Sequence, residues 1–264
     1  MQMNNKEYWS ARLEKLTNGL LKGQERDTTL FLKNYKNSLT EIQTMTNKLY
    51  AKYSKDGVLS VSEMYKYDRY KNMEKEIASI ISDLGKEEKA YMTKELKKVY
   101  SESYLKTGEL ITGFKPNIGI SFATIPTGFV EKAISYPWSG ADFSSRIYKN
   151  KDVLITNLKQ TITKGMVEGK SITNMTKDLK KVLDISATNA RRLIRTESLH
   201  VIASSHHDTY KKAGVVKVEY LTADDNRVCD ECDALNHKIF KLEDAPMLPI
   251  HPNGRCVVIP YFDK

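Results

Sequence analysis

Four residues with metal-binding side chains lie near the end of the 264-residue sequence. Cys229 and Cys232 form a Cys-x-x-Cys pair, and His251 and Cys256 follow within His-Pro-Asn-Gly-Arg-Cys. Two thiolates on one tight turn, joined by an imidazole and a third thiolate from a returning strand, match the tetrahedral coordination of Zn²⁺. Because protein fills all four positions, the spacing predicts a structural zinc ion. We expect the three sulfurs and one His251 nitrogen within about 4 Å of one another.

The same four residues are compatible with alternatives to a structural zinc site. The three cysteines are alternatively buried free thiols, with His251 hydrogen-bonded in a turn. A zinc nucleobase deaminase requires His-x-Glu before its cysteine pair, and none of the five histidines is followed by Glu at that spacing. A Cys–His nucleophile pair is conceivable, but nothing in the sequence singles out one thiol. We therefore predict no enzymatic activity. A metal-dependent hydrolase stays as an alternative that lacks paired carboxylates.

A second group of polar residues falls on a helix predicted over 187–213. We interpret Arg195 and Glu197 as half-buried residues that tie this helix to the following β-rich unit by charge-assisted hydrogen bonds. The alternative is a helix that contacts phosphates or a partner, because Arg191 and Arg195 are four residues apart on one face. The nearby histidines are interpreted as helix-surface residues, with His207 and Asp208 as a weaker metal candidate; they are His200, His206 and His207.

The net charge of +9 is concentrated in the middle of the chain. Residues 116–215 carry 15 Lys and Arg against 8 Asp and Glu, whereas residues 216–264 carry 6 against 9. A basic middle segment favours contact with nucleic-acid phosphates, and solvated lysine-rich helices are the alternative. The candidate phosphate contacts are Lys180, Lys181, Arg191 and Arg192.

Hydrophobic periodicity predicts long helices over the first hundred residues. Trp9, Leu13, Leu16 and Leu20 share one face of a first helix. Further helices are predicted from about Asp27 to Tyr53, from Ser60 to Leu84 and from Lys86 to Lys106. Asp56-Gly57 breaks the pattern, and Ser60-Val-Ser-Glu63 has the form of a capping box.

The rest of the chain changes from helical to β-rich. Glycine and proline over 108–128 predict a linker. Helices are predicted over 142–168, 171–183 and 187–213, with Ser171 and Ser186 as N-caps. Alternating β-branched residues predict strands over 215–221 and 257–259. The fold class is thus α+β and predominantly α-helical, with a helical N-terminal arm (1–107), the linker (108–128) and a C-terminal domain (129–264), whose zinc-knuckle-like unit covers 216–262.

Composition indicates the compartment in which the protein folds. No run approaches the roughly 18 apolar residues that span a bilayer, and the first ten residues lack the apolar core of a signal peptide. Three cysteines cannot all pair within one chain, which favours folding in a reducing compartment. We expect a protein that is neither exported nor embedded in a membrane.

Several motifs resemble one protein family. The string Pro137-Trp-Ser-Gly-Ala-Asp-Phe-Ser-Ser-Arg-Ile-Tyr-Lys-Asn150 resembles the start of the conserved domain of phage Mu F-like minor head proteins, also called phage head morphogenesis proteins. The resemblance continues through Arg195-Thr-Glu197, Tyr210–Val215, Asp225–Cys232 and His251–Cys256. Four separate motifs in this order, over about residues 130–262, make the resemblance specific.

The resemblance extends the site assignments. It implies that Asp225 acts with Arg195 and Glu197 as a structural motif, and that the family's cysteines and histidine correspond to Cys229, Cys232, His251 and Cys256. Many relatives carry a further cysteine where this sequence has Gly254. The implied ligand set is therefore one of three cysteines and one histidine.

The same resemblance implies a few-copy component of a tailed-phage virion that acts in head assembly, with a role in DNA packaging or ejection. Its expected partners are the portal protein, the major capsid protein and packaged double-stranded DNA. Its expected location is the capsid interior near the portal, after synthesis in the host cytoplasm. The alternative from another class is a zinc-knuckle DNA-binding protein of a phage or mobile element, and the second alternative is the hydrolase mentioned above.

Overall fold

A computed structural model describes residues 5–223 and 228–262, which form eight α-helices and one three-stranded sheet. The helices are α1 (Asn5–Phe31), α2 (Lys33–Tyr53), α3 (Val61–Tyr65), α4 (Arg69–Phe114), α5 (Phe129–Ser135), α6 (Phe143–Val167), α7 (Ile172–Lys212) and α8 (Asp230–Asp233). The strands are β1 (Lys217–Leu221), β2 (Ile239–Lys241) and β3 (Val257–Tyr261), and short 3-10 turns cover Lys66–Asp68 and Leu242–Asp244. The predicted fold class, mostly α-helical with a small C-terminal sheet, is confirmed.

The chain divides into two compact units, each assembled from separate stretches. The first unit comprises Met1–Asp27, Met92–Phe143 and Arg192–Lys264, and the second comprises Thr28–Tyr91 and Ser144–Arg191. The long helices α4 and α7 each contribute to both units. The predicted division of the chain into an N-terminal arm, a linker and a C-terminal domain stays a proposal.

The cores of both units use the apolar faces that the periodicity predicted. In the first unit, Trp9 and Leu13 of α1 are fully buried, and the Trp9 ring lies 5.5 Å from that of Phe114. In the second unit, the stripe of α2 and the first half of α4 is buried, as predicted from the spacing of its apolar residues; its members include Ile42, Met45, Met73, Ile77, Ile81 and Leu84.

The serine half of the capping box at Ser60 is confirmed, whereas the Glu63 carboxylate bonds Lys66 and Arg69, and the helix after the cap is short. The Ser60 hydroxyl accepts a hydrogen bond from the Glu63 amide at 3.2 Å and caps α3. The backbone then kinks at Tyr67 before α4 begins at Arg69. The prediction of one helix from Ser60 to Leu84 is therefore wrong.

Two predicted helix breaks are helix interiors in the structure. Gly85 lies within α4, where a Cβ would stand 3.2 Å from the Lys151 side chain, so this glycine permits close packing. Ser186 lies within α7, where it is buried and hydrogen-bonds the Tyr35 phenol and does not cap a new helix. Both residues have the types that end or cap helices, and the sequence does not reveal their packing partners, which are distant along the chain.

Gly108 was expected to open the linker and is instead inside α4, which continues to Phe114. A Cβ on Gly108 would lie 2.3 Å from Cβ of Phe122, a residue that is itself buried. The segment after α4 therefore folds back onto the helix at the position where the side chain is missing.

We expect Gly108→Ala to lower the free energy of unfolding by about 1–3 kcal/mol, because Phe122 must move to admit the methyl group. Gly19→Ala is the matched control, since Gly19 is also inside a helix of the first unit but has no atom within 4 Å of its Cβ position. Its expected effect is a gain of about 0.5–1 kcal/mol from helix propensity. Urea unfolding of both variants measures the difference, and equal shifts would contradict this packing argument.

The sheet has the order β2-β1-β3 and is antiparallel throughout. Val218 of β1 lies opposite Phe240 of β2 and Pro260 of β3. The two strands predicted from alternation, β1 and β3, are confirmed, whereas β2 was not predicted because it has only three residues. Val218, Tyr220 and Ile259 are fully buried, so the sheet contributes to the core of the first unit.

A search of the described residues for a membrane-spanning helix finds none that is sufficiently long and apolar.

Candidate metal centre

Local structure brings the two sulfurs of the Cys-x-x-Cys pair together. Cys229 is the N-cap of α8, and its sulfur accepts a hydrogen bond from the Cys232 amide at 3.4 Å. The Asp233 amide bonds the Cys229 carbonyl at 2.9 Å and closes the turn. Because the Cys229 side chain caps α8, it lies over the first turn of this helix. Cys232 belongs to the same turn, so the two sulfurs are close together.

His251 starts a tight turn held by α7. The Gly254 amide bonds the His251 carbonyl at 3.1 Å, and the Asn253 amide donates to the Thr196 hydroxyl of α7 at 3.3 Å. A Cβ at Gly254 would lie 3.1 Å from Cβ of Pro249 and 3.2 Å from the His251 carbonyl. A side chain at position 254 would therefore require Pro249 or the His251 carbonyl to shift by a few tenths of an ångström.

Three of the four predicted ligands converge. One ligand atom from each of Cys229, Cys232 and His251 lies within 4.8 Å of the other two. Cys232 is buried, and Cys229 and His251 are half-buried. Two thiolates and an imidazole are the donors that Zn²⁺ accepts most readily, so this group is able to bind a metal ion.

Cys256 takes a different position from the one predicted. It is not part of the group within 4.8 Å, and the expectation that all four ligand atoms lie within about 4 Å is wrong in this respect. Its thiol nevertheless lies near the Cys232 thiol and the Tyr220 hydroxyl, although that hydroxyl makes no hydrogen bond among the described residues. Because Cys256 immediately precedes β3, the sheet register fixes its backbone and leaves only the side chain to adjust.

The electrostatics of the cluster disfavour an isolated thiolate. Burial raises the pKa of Cys232 well above the usual value for a thiol, and the neighbouring Cys229 and Cys256 raise it further. Burial also raises the pKa of Tyr220, whose hydroxyl lies beside Cys232 and Cys256. Sequence reasoning missed Tyr220, because an alternating strand gives no sign of which of its residues approaches a site.

Glu197 joins two of the sequence motifs. Its buried carboxylate accepts a hydrogen bond from the Trp138 indole at 3.0 Å, and the Trp138 ring stacks on His200 with centroids 4.9 Å apart. This contact links α7 to the turn that contains Pro137-Trp138. Arg195 is half-buried and has at least one interaction partner, and Asp225 lies outside the described residues.

The histidines of α7 were expected on the helix surface, and for two of them this expectation is wrong. His200 and His206 are both 2% exposed, because this part of α7 is buried on nearly every side. Burial lowers the pKa of His206 to about 4, so this imidazole is neutral at physiological pH. Asp208 accepts a hydrogen bond from the Tyr100 hydroxyl at 2.6 Å, and neither His207 nor Asp208 appears in a metal-binding group of the described residues.

The candidate phosphate contacts are all exposed on α7. Lys180 pairs with Asp184, and Lys181 lies 3.5 Å from a carboxylate oxygen of Asp178. Part of their charge is therefore balanced locally. Arg191 and Arg192 lie further along the helix. Arg191 is the last residue of the second unit, and Arg192 is the first residue of the final stretch of the first unit.

The segment that contains this site matches a known protein family. Residues 156–259 match the family Phage Mu protein F like protein, so the match runs from α6 to β3 and includes the complete Cys/His set. The resemblance found in the motifs is thereby confirmed for this segment.

Two characterised proteins align with most of the chain. The Minor head protein GP7 of Bacillus phage SPP1 is 27% identical over 216 residues, which cover 78% of this chain and 68% of that protein. The NAD(+)--arginine ADP-ribosyltransferase EFV of Enterococcus faecalis is 26% identical over 194 residues, which cover 72% of this chain but only 38% of that protein. A comparison with the solved structures finds no match to the chain.

Proposed function

We propose that this chain is a minor head protein of a tailed bacteriophage and acts in head assembly. The observation that carries the proposal is the Mu F-like match over residues 156–259, which includes the helices and strands around the Cys/His cluster. The alignment with a minor head protein of phage SPP1 over 78% of the chain supports it from a second direction.

The alignment with the ADP-ribosyltransferase does not support the same activity in this chain. The alignment covers only 38% of that enzyme's length, so most of that protein has no counterpart in the match. A non-enzymatic role stays our prediction.

We propose that the protein lies inside the capsid near the portal, contacts portal or major capsid subunits, and takes part in DNA packaging or ejection. The charge of residues 116–215 supports weak contact with duplex DNA through phosphates, with an affinity that falls steeply with salt. The candidate contacts are Lys180, Lys181, Arg191 and Arg192, because all four are exposed on α7.

We further propose that Cys229, Cys232 and His251 hold a structural Zn²⁺, with Cys256 as the fourth ligand. The donor types fit zinc, and the Cys256 thiol is already beside Cys232. A bound zinc would supply the positive charge that a buried thiolate requires and would join α8, the 251–254 turn and the start of β3. With four protein ligands its role is structural.

Virion membership is the test of the proposed function. We expect gradient-purified particles of the phage that encodes this chain to contain it at a fixed, low copy number, measured by quantitative mass spectrometry. Major capsid and portal proteins quantified in the same particles provide the internal standards. If infected cells contain the chain and purified particles do not, it is an assembly factor that leaves the head, and the proposal of a head component is wrong.

A further inference from the structure

The end of α3 and the turn that follows it present the two most exposed tyrosines among the described residues. Tyr67 is 84% exposed and Tyr65 is 66% exposed, whereas Tyr148 on α6 is 42% exposed. We call residues 63–70 the tyrosine loop. Exposed aromatic rings have an unfavourable contact with water, and Tyr is among the residue types enriched in the centres of protein interfaces.

The backbone of the tyrosine loop is strained at its tip. Tyr67 has φ +54° and ψ +37°, and Asp68 also has φ +54°. This left-handed region favours glycine, and a bulky residue there is an outlier. Strain of this kind persists where the surroundings over-determine the conformation and is concentrated at functional positions.

Arg69 holds the tip in place. Its guanidinium lies 3.7 Å from the centre of the Tyr53 ring and 5.1 Å from that of Tyr67. It also donates to the backbone carbonyl of Glu63 at 3.0 Å and to the Glu63 carboxylate at 3.2 Å. The strained conformation is thus fixed by packing and by hydrogen bonds below the exposed ring.

Tyr65 is held by a second contact. Its ring stacks on Tyr70 with centroids 5.4 Å apart, and the Tyr70 hydroxyl bonds the Thr163 hydroxyl of α6 at 2.7 Å. Two exposed rings fixed in this way lose little conformational freedom when they are covered, which favours docking.

The charges of the loop identify the kind of partner. Lys66 and Arg69 are both paired with the Glu63 carboxylate, and Asp68 adds a second negative charge, so the loop has no net charge. Binding to nucleic acid requires cationic side chains that neutralise phosphates. A balanced loop with two projecting rings fits a protein surface that has an apolar cleft with one acidic and one basic residue at its rim.

We propose that the tyrosine loop is a docking knob that places Tyr67, with Tyr65 beside it, in an apolar cleft of another protein subunit of the phage head. This inference rests on the proposed function, because the partner is a head subunit. The strain at Tyr67 is then the local consequence of presenting the ring outward.

The first experiment supplies variants in trans to a phage that lacks the gene and counts copies per purified particle. Loss of an anchoring tyrosine weakens binding on the order of 30-fold. We expect Tyr67→Ala and Tyr65→Ala/Tyr67→Ala to be depleted from particles, while Tyr67→Phe and the control Tyr148→Ala are incorporated as the wild type is. If the wild type is present and Tyr67→Ala equals it, the docking inference is wrong and the proposed function stands. If the wild type itself is absent, both fail.

A second measurement separates docking from folding. Tyr67→Gly removes the ring and the strain together, so we expect its melting temperature to equal or exceed that of the wild type while its incorporation falls. Depletion with a lowered melting temperature in both Tyr67→Gly and Tyr67→Ala would assign the loop to folding and overturn the inference.

A photo-crosslinking amino acid at position 67 identifies the occupant directly. We expect mass spectrometry of irradiated particles to find a crosslink to a different head protein. A crosslink mainly to DNA or to a second copy of this chain would contradict the proposed partner.

Discussion

Replacing Cys232 with serine is expected to abolish zinc binding and to unfold the C-terminal unit formed by residues 216–262. Cys232 is the most buried member of the cluster, and it contacts both Cys229 and Cys256. Because a structural zinc contributes its binding free energy to folding, the loss of one ligand removes a contribution that is large for a segment of this size. Elemental analysis should find close to one zinc per wild-type chain and almost none in Cys232→Ser.

Hydrogen exchange shows where this loss of structure occurs. We expect amide protection to disappear in β1 and β3 and to persist in α2 and α6, which have cores of their own. His237→Gln is the matched control, because His237 is in the same unit but bonds Glu219 and is not in the metal-binding group. This variant should keep its zinc.

Cys256→Ser decides between three and four protein ligands. Full zinc loss would assign Cys256 as the fourth ligand, and retention with weaker affinity would leave three ligands and an open position. Wild-type protein purified without a metal-affinity tag that contains no zinc would show that the cysteines are packing residues, and the metal proposal would then be abandoned.

Replacing Lys151 with methionine is expected to lower the free energy of unfolding by about 3–5 kcal/mol, the range for breaking a buried ion pair. Lys151 of α6 and Glu88 of α4 are 3% and 0% exposed, and both bond the Tyr35 hydroxyl of α2. Desolvation lowers the Lys151 pKa, although Glu88 opposes this effect. The second Glu88 oxygen has no hydrogen-bond partner among the described residues, so Lys151 is the main source of compensating charge.

Two comparisons make this prediction specific to burial. Lys159→Met breaks an ion pair with Glu74 at 3.4 Å between the same two helices, but both side chains are about 30% exposed, and the expected cost is below about 1 kcal/mol. The double variant Lys151→Met/Glu88→Gln should recover much of the loss, because no uncompensated carboxylate is left. Equal midpoints for Lys151→Met and Lys159→Met in urea unfolding would contradict the larger cost expected for breaking the buried pair.

The sequence by itself determined the class of the fold and the set of candidate ligands. Apolar spacing identified the buried faces of α1, α2 and α4, because a helix repeats every 3.6 residues whatever it packs against. The Cys229–Cys232 spacing is a local constraint, and α8 brings those two sulfurs together as expected. The order of the motifs from Pro137 to Cys256 was sufficient to identify the family resemblance, which depends on sequence alone.

The tertiary structure decided what depends on partners far along the chain. Gly85, Gly108 and Ser186 have the residue types of helix ends, and only their contacts with Lys151, Phe122 and Tyr35 show that the helices continue through them. Lys151 and Glu88 are 63 residues apart, so no local pattern predicts a buried pair. The position of Cys256 beside Cys232 is likewise set by the register of β3 on β1, because spacing in sequence limits which residues can meet but packing selects those that do.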